Sequence, residues 1–433
     1  MVALLLGGWR HGYVEAIAMS AITRRRGVLV GGVWLDEGTS DDELQARLGA
    51  AYSFHERPRC GCSRQRPELY IARVGSRFIL KRMPGSGDGH DPSCQSWSAP
   101  EALTGIGRVL DAIRVLEDGT VNVKLDFSLS RRPGRGRPPA PSTKESKVVH
   151  ADGAKLSLRS LLCWLWDEAE FTSWSPGMAG KRSWRAISWH VRGAAMDKQT
   201  RSGSLGDRVW LPEPWDSEHK QQIAARRQDA WRFAREQKGK TTQLIVLIGE
   251  VKKLEMGKFG QTLLTLKHLP GVPVVLDEDL QRRMESKFAD ELELRAADDT
   301  VHLVAAATVS IGRTGLPHAQ ELTLLTMTGE WLPFESLQQR EVIETAVSEG
   351  RRFVVGQRYD LPAAADVPAI VLTDTAGPSP TPVYIGDPDP AADDDLIETT
   401  EAVFRWNGDS PLALPAAASG HGPAVRAFAT EAV

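Results

Sequence analysis

Three of the four cysteines in this 433-residue chain lie close to one histidine, at a spacing that suits a metal ion. Cys60 and Cys62 form a C-x-C pair, and His90 and Cys94 follow as H-x-x-x-C. Thiolate and imidazole are ligands that suit zinc, and four protein ligands fill its tetrahedral shell without leaving a position for a catalytic water. The sequence therefore predicts a structural zinc site.

Two other states of these cysteines are weaker alternatives. A disulfide within C-x-C would need strained geometry, and nothing upstream resembles a secretion signal. The residues could also be ordinary reduced cysteines near a surface histidine, because C-x-C is a looser signal than two C-x-x-C knuckles. A short strand pair from Leu69 to Arg82 would bring the two ligand pairs together, which favours zinc.

Several further sequence motifs, from the C-x-C pair to the last third of the chain, occur together in one known family. The sequence resembles the bacterial family called domain of unknown function 1173 over residues 28 to 410. The motifs that carry the resemblance include Arg57-Pro58-Arg59-Cys60-Gly61-Cys62, Tyr70-Ile71-Ala72-Arg73, Lys81-Arg82-Met83-Pro84, His90 with Cys94, Leu158-Arg159-Ser160-Leu161-Leu162, Leu165-Trp166-Asp167-Glu168-Ala169, Gly180-Lys181-Arg182-Ser183-Trp184, Gly249-Glu250-Val251-Lys252, Lys267-His268-Leu269-Pro270, and Arg351-Arg352-Phe353 before Arg358-Tyr359. The resemblance implies a cytoplasmic protein of plasmids and integrative elements, and it leaves the chemistry open.

Length and composition predict a soluble globular protein of two or three domains, with 41% hydrophobic and 25% charged residues. The net charge of -3 is unevenly distributed. Residues 57–159 contain 19 basic and 10 acidic side chains, whereas residues 361–433 contain 2 basic and 11 acidic ones. This asymmetry favours a nucleic-acid partner for the first half.

The N-terminal sequence predicts neither a signal peptide nor a membrane segment. The apolar run at Met1–Gly8 is too short to span a bilayer, and the cluster Arg24–Arg26 follows it instead of preceding it. Residues 1–27 are interpreted as an extension, with Met19 as an alternative start.

Residues 28–129 are predicted to form a β-rich zinc module, small relative to the rest of the chain. We expect one strand at Val28–Trp34, a helix at Asp41–Tyr52 and a half-buried strand at Asn122–Leu129. Residues 130–150 follow as a disordered basic linker, since proline, glycine and serine separate its cations and leave no apolar face to bury. It is either a solvated hinge or an arm that follows phosphates, and the arginines concerned are Arg131, Arg132, Arg135 and Arg137.

Residues 151–240 are rich in tryptophan and follow the order helix, basic helix, hairpin. We expect helices at Leu156–Phe171 and Lys181–Asp197, then a turn and a strand at Arg208–Leu211. This is the order of a winged helix-turn-helix, whose second helix enters the major groove of DNA. The alternative is a small helical packing domain. The candidate contacts with double-stranded DNA are Lys181, Arg182, Arg185 and Arg192.

Residues 241–410 are predicted to form a larger α+β domain with a mainly antiparallel sheet. Residues 411–433 are predicted to form a flexible tail. We expect strands at Leu244–Ile248 and Leu263–Leu266, one helix at Leu276–Ala297, a hairpin of Val301–Ile311 with Glu321–Thr328, and a helix at Glu335–Gly350. The fold class is therefore multidomain α+β.

Catalytic motifs are weak throughout the chain. Glu250-x-Lys252 after a strand is half of a metal-dependent nuclease pattern, and Asp360 with Asp374 flank later strands. No P-loop, dinucleotide fingerprint or nucleophile elbow is present in the sequence. Two function classes stay open: a non-enzymatic, DNA-associated accessory protein of a mobile element with protein partners, or a nuclease or nuclease-derived protein.

Overall fold

The computed structural model describes residues 27–418 except 37, 75–76, 92–93, 95, 117–119, 133–154, 197, 258–259, 362–364, 378 and 388–401. The linker residues Arg135 and Arg137, the extension before residue 27 and residues 419–433 lie outside the described residues. Within them, the fold is mixed α+β with mainly antiparallel pairing, as predicted. No described helix combines the length and apolar character that crossing a bilayer requires.

The N-terminal part contains a hairpin where one strand was predicted. Gly31 and Gly32 both adopt positive φ (55° and 76°), which is typical of a two-residue hairpin turn, so the chain reverses within Val28–Trp34. The helix at Asp41 is confirmed, and Ser40 caps it by accepting a hydrogen bond from the backbone N–H of Glu43 at 3.3 Å. The elements are β1 Val28–Val30, β2 Val33–Leu35, α1 Asp41–Ser53, β3 Arg59–Cys60, β4 Leu69–Val74, β5 Arg77–Arg82, α2 Glu101–Thr104 and α3 Gly107–Leu110.

The middle of the chain supplies buried helices and short strands that pair with distant segments. They are β6 Ile113–Val115, β7 Val121–Val123, β8 Ser130–Arg131, α4 Leu158–Glu168, β9 Ser173–Trp174, α5 Trp184–Met196, β10 Lys198–Thr200, β11 Gly203–Ser204, β12 Val209–Trp210 and α6 Lys220–Ala230. The strand expected at Asn122–Leu129 is confined to β7. Of the eight tryptophans in this region, five are buried, as expected for core residues: Trp164, Trp166, Trp174, Trp184 and Trp231.

The winged-helix arrangement needs correction. Helix, helix and hairpin occur in the predicted order, but β10 pairs in parallel with β7, so the hairpin belongs to a four-stranded sheet, β11-β10-β7-β6. Lys198 in β10 is fully buried, with its ammonium 2.9 Å from Tyr70 Oη and 3.1 Å from Glu168. A hairpin fixed in this way does not project like a wing.

The largest sheet of the described chain closes into a five-stranded barrel. Its elements, with two flanking strands, are β13 Thr242–Gln243, β14 Ile245–Met256, β15 Thr262–Leu266, β16 Val274–Leu276, α7 Glu278–Lys287, α8 Ala289–Ala297, β17 His302–Ile311, β18 Pro317–Met327 and β19 Pro333–Phe334. The ring runs β14-β15-β16-β18-β17 and back to β14, with only β16 and β18 parallel. This order, with helices between the third and fourth strands, is that of an oligonucleotide/oligosaccharide-binding (OB) barrel.

Strand β14 closes the barrel because it pairs with two neighbours in succession. Ile245–Glu250 pair with β17, and Val251–Met256 pair with β15 across a register shift. Gly249 lies at this bend, where a Cβ would approach Leu266 Cδ1 to 2.6 Å. The predicted helix Leu276–Ala297 breaks at Phe288 (φ -123°), and Leu280, Met284 and Phe288 pack into the barrel interior.

A last sheet ends the described chain, with α9 Leu337–Ser348, β20 Phe353–Val355, β21 Ile370–Leu372, β22 Thr381–Ile385 and β23 Phe404–Trp406. The strand order in this sheet is β23-β22-β21-β20-β9, so the sheet includes β9 from the middle of the chain. The predicted flexible tail is wrong for residues 411–418. Leu412 and Leu414 pack against this sheet, and the Ala418 N–H donates to Asp374 O at 2.8 Å.

Candidate metal centre

Short backbone elements position the four predicted ligands. Cys60 ends β3, which pairs with β1, and Cys62 follows in the next turn. Gly61 between them must be glycine, because a Cβ there would lie 2.8 Å from both Gly27 O and the ring of Trp34. The hairpin β4–β5, predicted from the sequence, returns the chain to the 3-10 turn Gly87–Gly89, directly before His90.

The ligand atoms fit a tetrahedral ion. All four lie within 4.8 Å of one another, and all four residues are buried. Cys60 Sγ lies 3.7 Å from Cys94 Sγ, and His90 Nδ1 lies 3.3 Å from Cys62 Sγ and 3.7 Å from Cys94 Sγ. Standard zinc bond lengths give tetrahedral edges of about 3.8 Å for sulfur–sulfur and about 3.6 Å for sulfur–nitrogen. The cluster can therefore hold a metal ion, with His90 binding through Nδ1.

The surroundings of the cluster favour a bound cation. Burial raises the pKa of the Cys62 thiol above its ordinary value, so a thiolate there needs a positive charge beside it. The backbone N–H groups of Asp91 and Ser96 approach Cys62 Sγ at 3.5 Å and Cys94 Sγ at 3.4 Å, the contacts that stabilise metal-bound sulfur. The fourth cysteine, Cys163 of α4, is packed in the protein core, as predicted. Burial raises the pKa of its thiol to about 12.

The predicted DNA contacts of the middle region are only partly available. Arg182 points inward, where it donates to Phe171 O at 2.9 Å and to Ser173 O, and burial lowers its pKa to about 10. Arg192 donates to Leu211 O at 2.8 Å. Lys181 and Arg185 are exposed, but Lys181 precedes α5. Arg182 and Arg192 are therefore corrected from phosphate contacts to structural residues.

The described start of the predicted linker is ordered. Arg131 lies in β8, which pairs with β13, and its guanidinium is 3.6 Å from Glu236. Arg132 is exposed beside it. The disordered linker is thus corrected at residues 130–131, because a strand partner holds them.

The alternative catalytic residues have structural partners. Glu250 is buried and accepts hydrogen bonds from His302 Nδ1 at 2.6 Å and from Lys267, whereas Lys252 is exposed. Asp360 accepts from Ser157 Oγ at 2.6 Å and from Ser160, in the first turn of α4. Asp374 is buried against Arg351, with Nη2 at 2.8 Å. These carboxylates fasten strands and helix ends.

Two surfaces were missed at the sequence level. One is the outer face of the barrel near Lys253, and the other is the exposed indole of Trp34 beside the C-x-C turn. The second gave no local signal, because Trp34 lies 26 residues before Cys60 in the sequence and only the fold brings it beside the turn. The first depends on strand order, which no local pattern gives.

Comparison with curated proteins and with solved structures finds no match. A family model described as "Protein of unknown function (DUF1173)" matches residues 35–408, a range that contains all four ligands and the whole barrel. The chain belongs to the DUF1173 family.

Proposed function

We propose that this chain is a non-enzymatic, DNA-associated accessory protein, in which zinc stabilises the N-terminal part and the barrel carries DNA. The observation that carries the proposal is the OB-type barrel with one face left uncovered. The mobile-element setting and its protein partners are part of the proposal on the family resemblance alone. A fold does not fix a function by itself, so the argument depends on that face.

Half of the barrel wall is covered by helix. Strand β17 is buried on both sides: Leu303 and Ala305 face the barrel interior, and Val304 and Ala306 pack against the core that contains α4. Strand β17 in this half therefore offers no open face to a ligand.

The other half, β15, β16 and the second half of β14, presents side chains outward. Leu264 and Leu266 fill the interior, while Leu263 and Thr265 alternate outward, beside Val275 on β16. OB barrels bind oligonucleotides on the face of their second and third strands, which here are β15 and β16. The uncovered half therefore coincides with the face that binds nucleic acid in this architecture.

Charge on this face suits a phosphate backbone. Lys252 and Lys253 are exposed on β14, and Arg313 is exposed in the loop from β17 to β18. Lys253 forms an ion pair with Glu255 at 2.7 Å, and because both side chains are exposed this pair contributes little and a phosphate can replace it. A row of cations along a sheet suits the phosphates of a single strand, the electrostatic part of single-strand binding. Duplex DNA contacts through Arg132, Lys181 and Arg185 stay a second part of the proposal.

Zinc has a structural part in this proposal. Four protein ligands would fill the shell of the ion, so no open position would remain for substrate. Metal binding would hold the C-x-C turn, the β4–β5 hairpin and the loop around His90 as one unit. No observation favours the nuclease alternative, since Glu250, Asp360 and Asp374 each have a structural partner.

The test is a salt series of fluorescence anisotropy titrations with a labelled single strand and a labelled duplex. Wild type should bind the single strand, and Lys252→Gln with Lys253→Gln should flatten the slope of log affinity against log salt by about 1.4 units if each lysine contacts one phosphate. Lys181→Gln with Arg185→Gln removes two exposed cations elsewhere: it should leave the slope for the single strand unchanged and flatten the slope for the duplex, where these residues are proposed to contact phosphates. Wild type that binds neither DNA, or a slope unchanged by the barrel variant, would overturn the proposal.

A further inference from the structure

We propose a second nucleic-acid site beside the metal centre, at which the indole of Trp34 stacks on a nucleobase while Arg64 and Arg66 contact neighbouring phosphates of a single strand. These three residues are called the knuckle platform. The inference rests on the proposed DNA function and names a part of the chain that contacts bases.

Trp34 is held as an exposed flat surface. It lies on β2, opposite Leu29 of β1, and 46% of the residue is exposed. Its ring lies directly against the C-x-C turn, because a Cβ at Gly61 would come within 2.8 Å of an indole carbon. One side of the indole is therefore supported by backbone that the metal centre would fix. Tryptophan offers the largest aromatic face for stacking a base.

The turn after Cys62 directs a cation at this ring. The Arg66 guanidinium carbon lies 5.2 Å from the indole centroid, a cation–π distance. Arg66 adopts φ 50°, an uncommon conformation for a residue with a side chain, and its N–H donates to Ser63 O at 3.2 Å. The backbone thus accepts a less favourable conformation in the turn that places Arg66 beside Trp34.

The charge of the platform suits a nucleic acid and opposes a cationic ligand. Arg59 nearby is neutralised by Glu68 at 3.0 Å. Arg64 and Arg66 are exposed, and neither forms an ion pair with any residue in the described part of the chain. Two guanidinium groups without acidic partners in the turn that follows Cys62, one of them over the Trp34 ring, complement a nucleobase and its neighbouring phosphates.

The test uses full-length, zinc-loaded protein and two labelled probes of equal length, an oligothymidylate and an abasic strand with the same backbone. Wild type should prefer the strand with bases. Trp34→Ala should lose on the order of 10-fold in affinity for oligothymidylate and leave abasic binding unchanged, since one stacked base is lost. Trp34→Phe should retain most of the affinity. Trp189→Ala, at an equally exposed tryptophan of α5, should match wild type.

A second variant tests the cations. Arg64→Gln with Arg66→Gln should flatten the salt slope for both probes by about 1.4 units, as two phosphate contacts are lost. Zinc content and the melting temperature of each variant establish that the fold is retained.

Each remaining outcome decides the inference. Equal affinity of wild type for both probes, or Trp34→Ala that binds oligothymidylate as wild type does, overturns the knuckle platform. If the Lys252/Lys253 variant alone weakens binding, the proposed function stands and the platform falls. Wild type that binds neither probe overturns both.

Discussion

The four cysteines differ in what controls their reactivity. Cys60, Cys62 and Cys94 are buried but share one small space with His90, so a chelator that removes a bound ion frees three thiols together. Cys163 is buried among apolar side chains of α4, and burial raises its pKa to about 12. A raised thiol pKa keeps this group neutral, and therefore unreactive, near neutral pH.

These differences predict a stepwise thiol titration. Zinc-loaded native protein should give no reaction with a thiol reagent such as 5,5′-dithiobis(2-nitrobenzoate) at pH 8. Chelator should release three reactive thiols, and denaturant should add the fourth. A Cys163→Ser variant is the control, with the same first step and no second one. Four thiols reacting before any denaturant would mean that α4 is not the packed core helix described above.

At the scale of single residues, the sequence does not predict whether a side chain points into the protein or out to solvent. The clustering of Cys60, Cys62, His90 and Cys94 was predictable because cysteine and histidine spacing is a local property that the fold only has to bring together. Arg182 was misassigned because its neighbours in sequence are basic, whereas its actual partners, Phe171 O and Ser173 O, come from the preceding loop. A charge count cannot separate an inward arginine from an outward one.

At the scale of elements, Glu250 joins three strands of the barrel. It lies in β14, accepts a hydrogen bond from His302 of β17, and pairs with Lys267 directly after β15. Burial alone would raise the pKa of this carboxyl, but the hydrogen bonds from His302 and Lys267 lower it below the ordinary value. Trp331 stacks on His302 with 3.9 Å between ring centroids, which keeps water from part of the cluster.

Glu250→Gln should therefore destabilise the protein by about 1–3 kcal/mol at pH 7, since charged hydrogen bonds in a buried site are lost. A carboxylate with a lowered folded pKa contributes stability above the unfolded pKa and loses it as pH falls through the folded pKa. The difference from wild type should thus shrink below about pH 4. Urea denaturation at several pH values measures it.

The matched control is Glu255→Gln in the same strand, where an exposed carboxylate pairs with Lys253. It should change stability by less than about 0.5 kcal/mol, as exposed ion pairs contribute little. A Glu250 variant as stable as this control would show that the cluster does not fasten the strands.

Elements with strong periodicity were predictable, and strand order was not. Helices α1, α4 and α9, and the hairpin β17–β18, lie within a few residues of the predicted ranges, because their apolar spacing and caps are local signals. The barrel depends on β14 pairing with both β15 and β17, two strands that begin 40 residues apart in sequence. The short β8, β9 and β10 exist only because distant strands complete them.

At the scale of the whole molecule, the candidate metal centre and the barrel belong to different cores. Cys60, Cys62 and Cys94 share a core with β1 and α1, separate from the barrel interior. The two are linked through β4: Ile71 faces the first core, while Tyr70 packs into the core around α4 and its hydroxyl lies 2.9 Å from Lys198. Loss of the metal should therefore spread from the N-terminal part toward β10 before it reaches the barrel.

Hydrogen exchange with and without chelator tests this order. A structural zinc contributes on the order of 10 kcal/mol to the unit that it holds, so chelation, or Cys62→Ser, should abolish protection in residues 28–74. Protection of β10 should fall in part, because the buried Lys198 ammonium loses the support of Tyr70 Oη. Amides of β14, β17 and β18 should keep theirs, since their hydrogen bonds and both packed faces of β17 are independent of the first core. Equal loss of protection in β1 and β17 would mean that the chain unfolds as one cooperative unit, and unchanged protection in both would mean that no metal holds the cluster.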